Sequence, residues 1–448
     1  MTVSQSATSG QRNAASVGLD PLSVLGFIYE RRAFVTPGPS MRYVYGTYQL
    51  TPGGSYDTAI TLVEEALDIG NSGAATAVMH ATEHTLAFTK IPATYEPTPA
   101  VLYSEQMETW QERYYEDGHR SSYQAQVQSQ QIESVPAQYS ETFSIGEHAN
   151  PRKSLPIGST DLRLADPRYL RYVRVCLVRG LMAAGYAPGH YYVGLTIGVR
   201  NEEVNAQMGV DPTVQEALSV LTQPFTLVRS GKDVWSIDVR ESFPLPQSFG
   251  THYALDTGIL GQVLNPTITS WTVLDLGYHD GHVLEVIRPG KGSLRVTGQK
   301  VVTGVVDVAR GLVGELRKPG NFPLVPSDLS DAEAIALLHT EQLTVGGVPL
   351  QETAEARRAT EVIRAFKDKE GGSLIGAMAA RHTRLDSTFI FTGGGSSEFG
   401  PQIINQMRVA QRPDHLYKVL PAEIARFANV AGLYWMLNIR MRPRTVAR

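Results

Sequence analysis

Cysteine is nearly absent from this chain of 448 residues, which contains only Cys176. A single cysteine excludes a disulfide framework within the chain and a metal site built from several thiolates. Cys176 lies in an apolar segment with helical spacing, which favours a buried core thiol over a catalytic nucleophile. Because no disulfide is available for stability, the cytoplasm is the expected compartment.

An excess of one charge and long apolar runs are also missing. The formal net charge is −4 and the pI is about 6.3, so we expect no direct nucleic-acid binding through a basic surface. No stretch approaches the roughly 18 apolar residues of a membrane-spanning helix, and no membrane partner is expected. The polar residues 1–15 indicate a flexible tail rather than a secretory signal, and the arginines in 439–448 indicate a solvated basic tail.

The pattern of apolar residues predicts a mixed α/β chain with more than one core. A chain of this length exceeds the size at which one hydrophobic core keeps growing, so two lobes are expected. Asp166 and Pro167 are typical of a helix start, and apolar residues follow at helical spacing. We expect this helix to pack on a strand at 191–199.

Further segments alternate between the two periodicities. Residues 225–239 predict a hairpin around Ser230 and Gly231. Ser330 and Glu333 have the spacing of a capping box, and residues 352–369 predict a helix with a charged face. Apolar residues in 60–67 fit helical spacing, which predicts a helix there. Residues 103–138 are rich in Gln, Tyr, Ser and Glu and indicate a polar surface insertion.

The most informative stretch is 389–400, where an apolar strand runs into Gly393, Gly394 and Gly395 and then into a polar segment that opens a helix. Glycines allow positive φ and a close approach of the backbone to a ligand, and a helix start offers unpaired N–H groups. These features are typical of a nucleotide-binding turn. A tight strand-to-helix turn without a ligand explains the same residues.

Two acid-bearing hairpins precede this glycine turn. Residues 272–284 read as strand, turn and strand, with Asp275 and Gly277 at the bend. A shorter version begins at 16–20 with Asp20 and continues at 27–29. Two such hairpins suggest duplicated halves that face one cleft, and the segment 425–433 closes the set.

The order of these segments resembles that of the actin-like ATPases, and among them the bacterial plasmid-segregation group ParM or StbA with its archaeal relatives. The resemblance is strongest from Phe143 to the C-terminus. The segments that carry it are 144–149, 191–198, 246–250, 275–283, 303–307, 392–396 and 427–432.

This resemblance implies an α/β, actin-like (ribonuclease H-like) fold. Two lobes, each a mixed sheet flanked by helices, would enclose a nucleotide cleft. The implied lobes are 16–245, with a variable insertion at about 45–142, and 246–438. The implied ligands are ATP or GTP with Mg²⁺, and the implied partners are further copies of the chain joined head to tail, with an adaptor protein linking the filament to plasmid-like DNA.

The resemblance also assigns roles to individual residues. Asp20 and Asp275 are expected to hold Mg²⁺, with Asp275 also catalytic, although an Asp beside a turn often only caps it. Gln247 would orient the attacking water, or it is a surface amide. The remaining residues are expected at the nucleotide, and they are Gly277, Gly304, Asp307, Gly393, Gly394, Gly395 and Ser396.

Several residues depart from the family pattern. The bend after Asp20 lacks the glycines and the lysine that the family uses around phosphates, and Pro21 removes a backbone donor. In the second hairpin His279 and Asp280 replace small or hydroxyl residues, and His282 replaces a second Asp. Bulky and acidic groups oppose an anion at a phosphate turn.

Three hypotheses follow from these observations. The first is a filament-forming ATPase that positions DNA, because a contact that joins subunits head to tail without closing a ring propagates. The second is a catalytically degenerate filament or scaffold with the same fold. The third is a sugar or acyl kinase, since one fold hosts unrelated functions. We favour the first, with the second as its alternative.

Overall fold

A computed structural model describes most of the chain between Ile60 and Met441, together with short strands between Val44 and Ser55. The longest gaps in this range are 98–107, 116–136, 258–265 and 381–386. Residues 1–43 and 442–448 lie outside the described residues. The predicted N-terminal tail and Asp20 with its hairpin therefore fall outside them, as does most of the predicted basic tail.

The strands and helices are as follows. The strands are β1 (Val44–Tyr45), β2 (Gln49–Thr51), β3 (Gly54–Ser55), β4 (Ile60–Ile69), β5 (Gly73–Met79), β6 (Leu86–Pro92), β7 (Tyr95–Pro97), β8 (Trp110–Tyr115), β9 (Ala137–Tyr139), β10 (Phe143–Ile145), β11 (Gly189–Val199), β12 (Phe225–Arg229), β13 (Asp233–Pro246), β14 (Ser270–Leu276), β15 (Asp280–Gly290), β16 (Ser293–Thr303), β17 (Thr344–Val345), β18 (Val348–Pro349), β19 (Thr388–Thr392) and β20 (Tyr417–Val419). The helices are α1 (Thr160–Ala165), α2 (Pro167–Ala183), α3 (Pro212–Leu221), α4 (Gln247–Asp256), α5 (Val305–Leu316), α6 (Asp331–Thr340), α7 (Ala354–Ala380), α8 (Gly394–Glu398), α9 (Gly400–Val409) and α10 (Ala422–Met441).

Two sheets repeat one topology. The second sheet has the order β16-β15-β14-β19-β20, and the first contains the matching order β6-β5-β4-β11-β13. In both sheets the first three strands along the chain pair antiparallel, and the fourth and fifth add parallel. The first sheet continues through β12, β8, β10 and β7. The repeat confirms the predicted pair of mixed sheets in two α/β lobes, and we call the elements around each sheet the first and second lobe.

The prediction of a helix at 60–67 is wrong, because these residues belong to strand β4. This strand lies at the centre of the first sheet, between β5 and β11, and contacts both α2 and α10. A strand covered on both faces loses the alternation of apolar and polar residues, so its apolar spacing also fits a helix. Strands β4, β5 and β6 all lie within the region 45–142 that the sequence assigned to an insertion.

Other local predictions are confirmed. Asp166 caps α2 by accepting a hydrogen bond from the Arg168 N–H at 2.8 Å. The Ser330 capping box starts α6. Strands β12 and β13 form the predicted hairpin, and Ser230 and Gly231, which both have positive φ, are the central residues of a turn that the Lys232 N–H closes on the Arg229 carbonyl at 3.0 Å. Helix α7 begins at Ala354, includes the predicted helix from there to Lys369 and extends to Ala380.

Helices α4 and α10 cross between the lobes at two glycines. A Cβ atom on Gly432 would lie 1.7 Å from the Gly250 carbonyl oxygen, and a Cβ atom on Gly250 would lie 2.0 Å from the backbone carbonyl oxygen of Asn429. Buried residues of both sheets pack around these helices in one apolar core. The crossing positions the N-terminus of α4 and the middle of α10 beside the space between the sheets. In the described part of the chain, no helix is long and apolar enough to span a bilayer.

Candidate nucleotide site

The two sheets present equivalent turns at the point where they face each other. In the first lobe the Gly70 N–H donates to the Gly73 carbonyl at 2.9 Å, and in the second the Gly277 N–H donates to the Asp280 carbonyl at 2.9 Å. Two residues before each of these donors lies an acid, Asp68 in β4 and Asp275 in β14. Asp68 is therefore the structural counterpart of Asp275.

These turns border one cavity between the lobes, with a volume of about 290 Å³. That volume is close to the lower end of the range for small-molecule sites, about 300–1,000 Å³. Its wall combines both acids with glycine-rich backbone. The predicted residues in the wall are Gln247, Asp275, Gly277, Gly393, Gly394 and Gly395.

Burial raises the pKa of both carboxylates. Burial raises the pKa of Asp275 to about 6, and the negative charge of Asp68 adds to the rise. Burial also raises the pKa of Asp68, while the amides of Asn429 and Gln247 lower it. The positive charge of Lys90 lowers the pKa of both acids. Two acids held this way fit a hard divalent cation such as Mg²⁺, which takes oxygen ligands and is often held through one or two carboxylates.

Amide and hydroxyl groups from α4 orient both acids. Gln247 donates from Nε2 to Asp68 Oδ1 at 2.5 Å and to the Ile69 carbonyl at 3.1 Å. Ser248 donates from Oγ to Asp275 Oδ2 at 3.4 Å, and Asn201 donates to the Ser248 Oγ at 3.0 Å. The first residues of α4 therefore contact both turns at once.

A buried arginine fixes the first turn. Arg163 donates from Nη1 to the Ile69 carbonyl at 3.2 Å and to the Tyr169 hydroxyl at 3.1 Å. The Tyr169 hydroxyl in turn donates to the Gly70 carbonyl at 3.1 Å. The Arg163 side chain also lines the cavity. Its positive charge therefore lies next to the backbone of the first turn, at the end of the cavity where an anion would lie.

A lysine faces the first turn from the neighbouring strand. Lys90 on β6 pairs in register with Ala75 on β5, and both residues line the cavity. Ala75 pairs in turn with Asp68 on β4. The first turn itself, 70–73, contains no lysine or arginine. Positive charge at this end of the cavity therefore comes from residues on other elements.

The second turn is tied to the start of α5. The Val305 N–H donates to the Gly277 carbonyl at 3.3 Å, and the Val306 N–H donates to the Tyr278 carbonyl at 2.9 Å. A Cβ on Gly304 would lie within 2.5 Å of the turn backbone. Glycine at 304 is thus required for this close packing, and the first N–H groups of α5 are occupied by the turn.

The glycine turn approaches Asp275 closely. Thr392 pairs with Asp275 between the parallel strands β19 and β14. Gly393 has φ of 83°, and a Cβ there would lie 2.4 Å from Asp275 Oδ1. A Cβ on Gly394 would meet nothing within 4 Å, so this residue borders open space in the cavity. Backbone alone forms the wall at this position.

Three predicted residues do not line the cavity. Gly304 packs against the second turn, Asp307 lies on α5 with 41% of its side chain exposed, and the Ser396 hydroxyl donates to the Thr392 carbonyl. Their proposed nucleotide contacts stay predictions. Asp20 lies outside the described residues, and the acid that faces Asp275 is Asp68.

Sequence reasoning missed Asp68, Gly70, Lys90, Arg163 and Arg200, which all border the cavity. For the first two residues a signal was present. Residues 68–70, Asp-Ile-Gly, repeat the pattern of 275–277, Asp-Leu-Gly. Among the described residues, no group of three or more His, Cys, Asp or Glu side chains is arranged to hold a metal ion.

The chain has the actin-like fold, as comparison with solved structures shows. The crystal structure of the actin-like protein Alp7A is similar with a TM-score of 0.58 and 10% identity, over 85% of this chain and 97% of that one. The archaeal actin homolog Ta0583 gives 0.57 and 18% identity, over 85% and 100%. The apo psk41 ParM protein gives 0.54 and 14%, over 85% and 99%.

Solved structures of similar proteins also contain nucleotides. Bacillus thuringiensis ParM was crystallised with AMPPNP and has a TM-score of 0.52 and 10% identity, over 85% of this chain and 99% of that one. Ta0583 was also crystallised in complex with ADP. Neither a protein-family model nor a curated protein sequence matches the chain.

Proposed function

We propose that this protein is an actin-like filament subunit that binds and hydrolyses a nucleoside triphosphate, ATP or GTP, in the cavity between its lobes. The observation that carries the proposal is the pair of equivalent acid-bearing turns, at Asp68 and Asp275, which face one cavity beside a glycine turn. The nucleotides crystallised with proteins of the same fold support it.

The roles of the residues follow from their positions. Asp68 and Asp275 would hold Mg²⁺, which when bound supplies charge neutralisation to the phosphates. Lys90 and Arg163 add positive charge at the first turn. Gln247 orients Asp68 and borders the cavity, where it can also orient a water. The nucleoside would lie against Gly394, where no side chain fills the space.

Assembly and cargo belong to the same proposal. Head-to-tail contacts between copies would build a filament, because such contacts propagate without closing. The net charge of −4 favours an adaptor protein over direct contact with plasmid-like DNA. The cytoplasm is the proposed compartment, and the single cysteine of the chain, Cys176, is buried.

Phosphate release and pelleting, measured on the same samples with and without Mg–ATP and Mg–GTP, test this function. Asp275→Asn and Asp68→Asn are expected to abolish phosphate release while the fold persists, since each replaces a carboxylate of the cavity wall by an amide of nearly the same size. Glu361→Gln, on the exposed side of α7, is the matched control. Wild-type protein that neither releases phosphate nor pellets with either nucleotide would contradict the proposal.

A degenerate filament or scaffold is the second candidate. It is favoured by the second turn, where Asp280 borders the cavity in place of a small or hydroxyl residue and the bulky Tyr278 lies beside it. An acid at this position repels phosphate. Pelleting that is independent of nucleotide and unchanged in Asp275→Asn would select this candidate over the first.

A further inference from the structure

Four charged side chains form a ring where the lobes meet. Arg200 Nη2 lies 2.7 Å from Glu202 Oε1 and 3.2 Å from Asp280 Oδ2. His282 lies 3.2 Å from Glu202 through Nδ1 and 3.3 Å from Asp280 through Nε2. Arg200 and Glu202 follow β11 in the first lobe, whereas Asp280 and His282 belong to β15 in the second. Two of the four ion pairs therefore join the lobes.

The repeat between the lobes explains why Arg200 reaches the cavity. Gly198 pairs with Asp68 in the first sheet, and Thr392 pairs with Asp275 in the second. Two residues further along the chain these strands lead to Arg200 and to Gly394. Arg200 thus occupies, in the first lobe, the place that the open glycine turn occupies in the second. Both residues line the cavity.

The guanidinium of Arg200 has unused donor capacity. Its side chain is 12% exposed, and its buried Nε finds no hydrogen-bond partner among the described residues. One nitrogen, Nη2, serves both acids. A phosphate group offers several charged oxygens to such a planar fork and can accept from two nitrogens at once. A terminal phosphate can therefore compete with Asp280 for Arg200.

Loss of Arg200 would leave neither acid of the ring without a partner. Asp280 is 11% exposed at its side chain and keeps His282 as a partner when Arg200 leaves. A buried charge that loses its only partner is strongly destabilising, and the ring avoids this cost. Glu202 likewise keeps His282 across the lobes. The ring can therefore exchange one link without breaking.

We propose that Arg200 distinguishes a bound nucleoside triphosphate from a diphosphate by exchanging Asp280 for the terminal phosphate. The Arg200–Asp280 link then joins the lobes in the nucleotide-free and diphosphate states and is released in the triphosphate state. This inference rests on the proposed function, because it concerns the same cavity.

Equilibrium binding of Mg²⁺ complexes of ADP and of a non-hydrolysable ATP analogue tests the discrimination. Arg200→Gln is expected to weaken analogue binding by about 10- to 100-fold, the effect of a charge-assisted hydrogen bond, and to leave ADP binding within about twofold. Arg357→Gln, an exposed arginine on α7, is the matched control and should match wild type. Equal weakening of both ligands, or of neither, overturns the inference.

Wild-type binding separates this inference from the proposed function. If wild-type protein binds neither nucleotide, the function fails and the inference fails with it. If wild type binds both but Arg200→Gln preserves their ratio, only the inference fails. Arg200→Lys keeps the positive charge but lacks the planar guanidinium, so this variant should also lose the discrimination between the ATP analogue and ADP. It replaces the glutamine variant in the test if that variant does not fold.

The distance between the lobes gives a second, independent readout. Spin labels at Gln215→Cys on α3 and Glu361→Cys on α7 report it, since both positions are exposed. Asp280→Asn is expected to broaden the nucleotide-free distribution, and the ATP analogue but not ADP should shift the wild-type distribution. Identical wild-type distributions in all three states would overturn the exchange.

Discussion

The crossing of α4 and α10 makes Gly432 one of the positions most sensitive to a single methyl group. A Cβ at this site would lie 1.7 Å from the Gly250 carbonyl oxygen and 3.0 Å from the Ala254 nitrogen. Both atoms belong to backbone, so no side-chain rotation relieves the overlap. Overpacking of this kind costs about 1–3 kcal/mol, and the clash with backbone favours the upper value. Alanine has a higher helix propensity than glycine, which offsets about 1 kcal/mol of this cost.

Gly432→Ala is therefore expected to lower the free energy of unfolding by about 2 kcal/mol. Gly314→Ala, where nothing lies within 4 Å of the new Cβ, should instead raise it by about 0.5–1 kcal/mol. Urea unfolding followed by circular dichroism measures both changes. Because α4 and α10 carry Gln247 and Asn429 to the cavity, the first variant should also bind nucleotide less tightly. A stability equal to or above that of wild type would refute the packing argument.

Two further predictions concern ionisable groups. Burial opposes protonation of His282, but its ion pairs with Asp280 and Glu202 outweigh burial and raise its pKa from 6.5 to about 9. This shift contributes about 3 kcal/mol to the free energy of unfolding, which is fully present below pH 6.5 and is lost as the pH rises through about 9. Unfolding measured at several pH values should show this loss in wild type and not in His282→Gln. Cys176 is fully buried and burial raises its pKa, so a thiol reagent should label it only after unfolding. Rapid labelling of the native protein would contradict its position in the core.

Local sequence patterns predicted part of the second half of the site, whereas Gly304, Asp307 and Ser396, which were also expected there, do not line the cavity. The hairpin at Asp275 and the turn at Gly393 were predicted because a glycine follows directly after each of the strands β14 and β19, and because the acid lies beside a bend. Both features are local along the chain. The two-lobed fold followed from the resemblance that these segments carry.

The first half of the site could not be predicted in the same way. Strand β4 is buried on both faces, so its apolar spacing fitted a helix and hid the acid-bearing turn at Asp68. Lys90, Arg163 and Arg200 lie far from that turn in sequence, and only the sheet order and the packing of α1 bring them to the cavity. No spacing rule along the chain specifies such contacts.

Binding of Mg–ATP to wild type and to Gly394→Val decides whether the cavity between the lobes holds the nucleotide. The Gly394 Cβ would meet nothing within 4 Å, so the valine variant should still fold, as its melting temperature can check, while its side chain occupies the space in which the nucleotide would lie. Calorimetry should detect magnesium-dependent binding to wild type and none to the variant. Equal binding by both proteins, or no binding by wild type, would show that the nucleotide does not lie in this cavity.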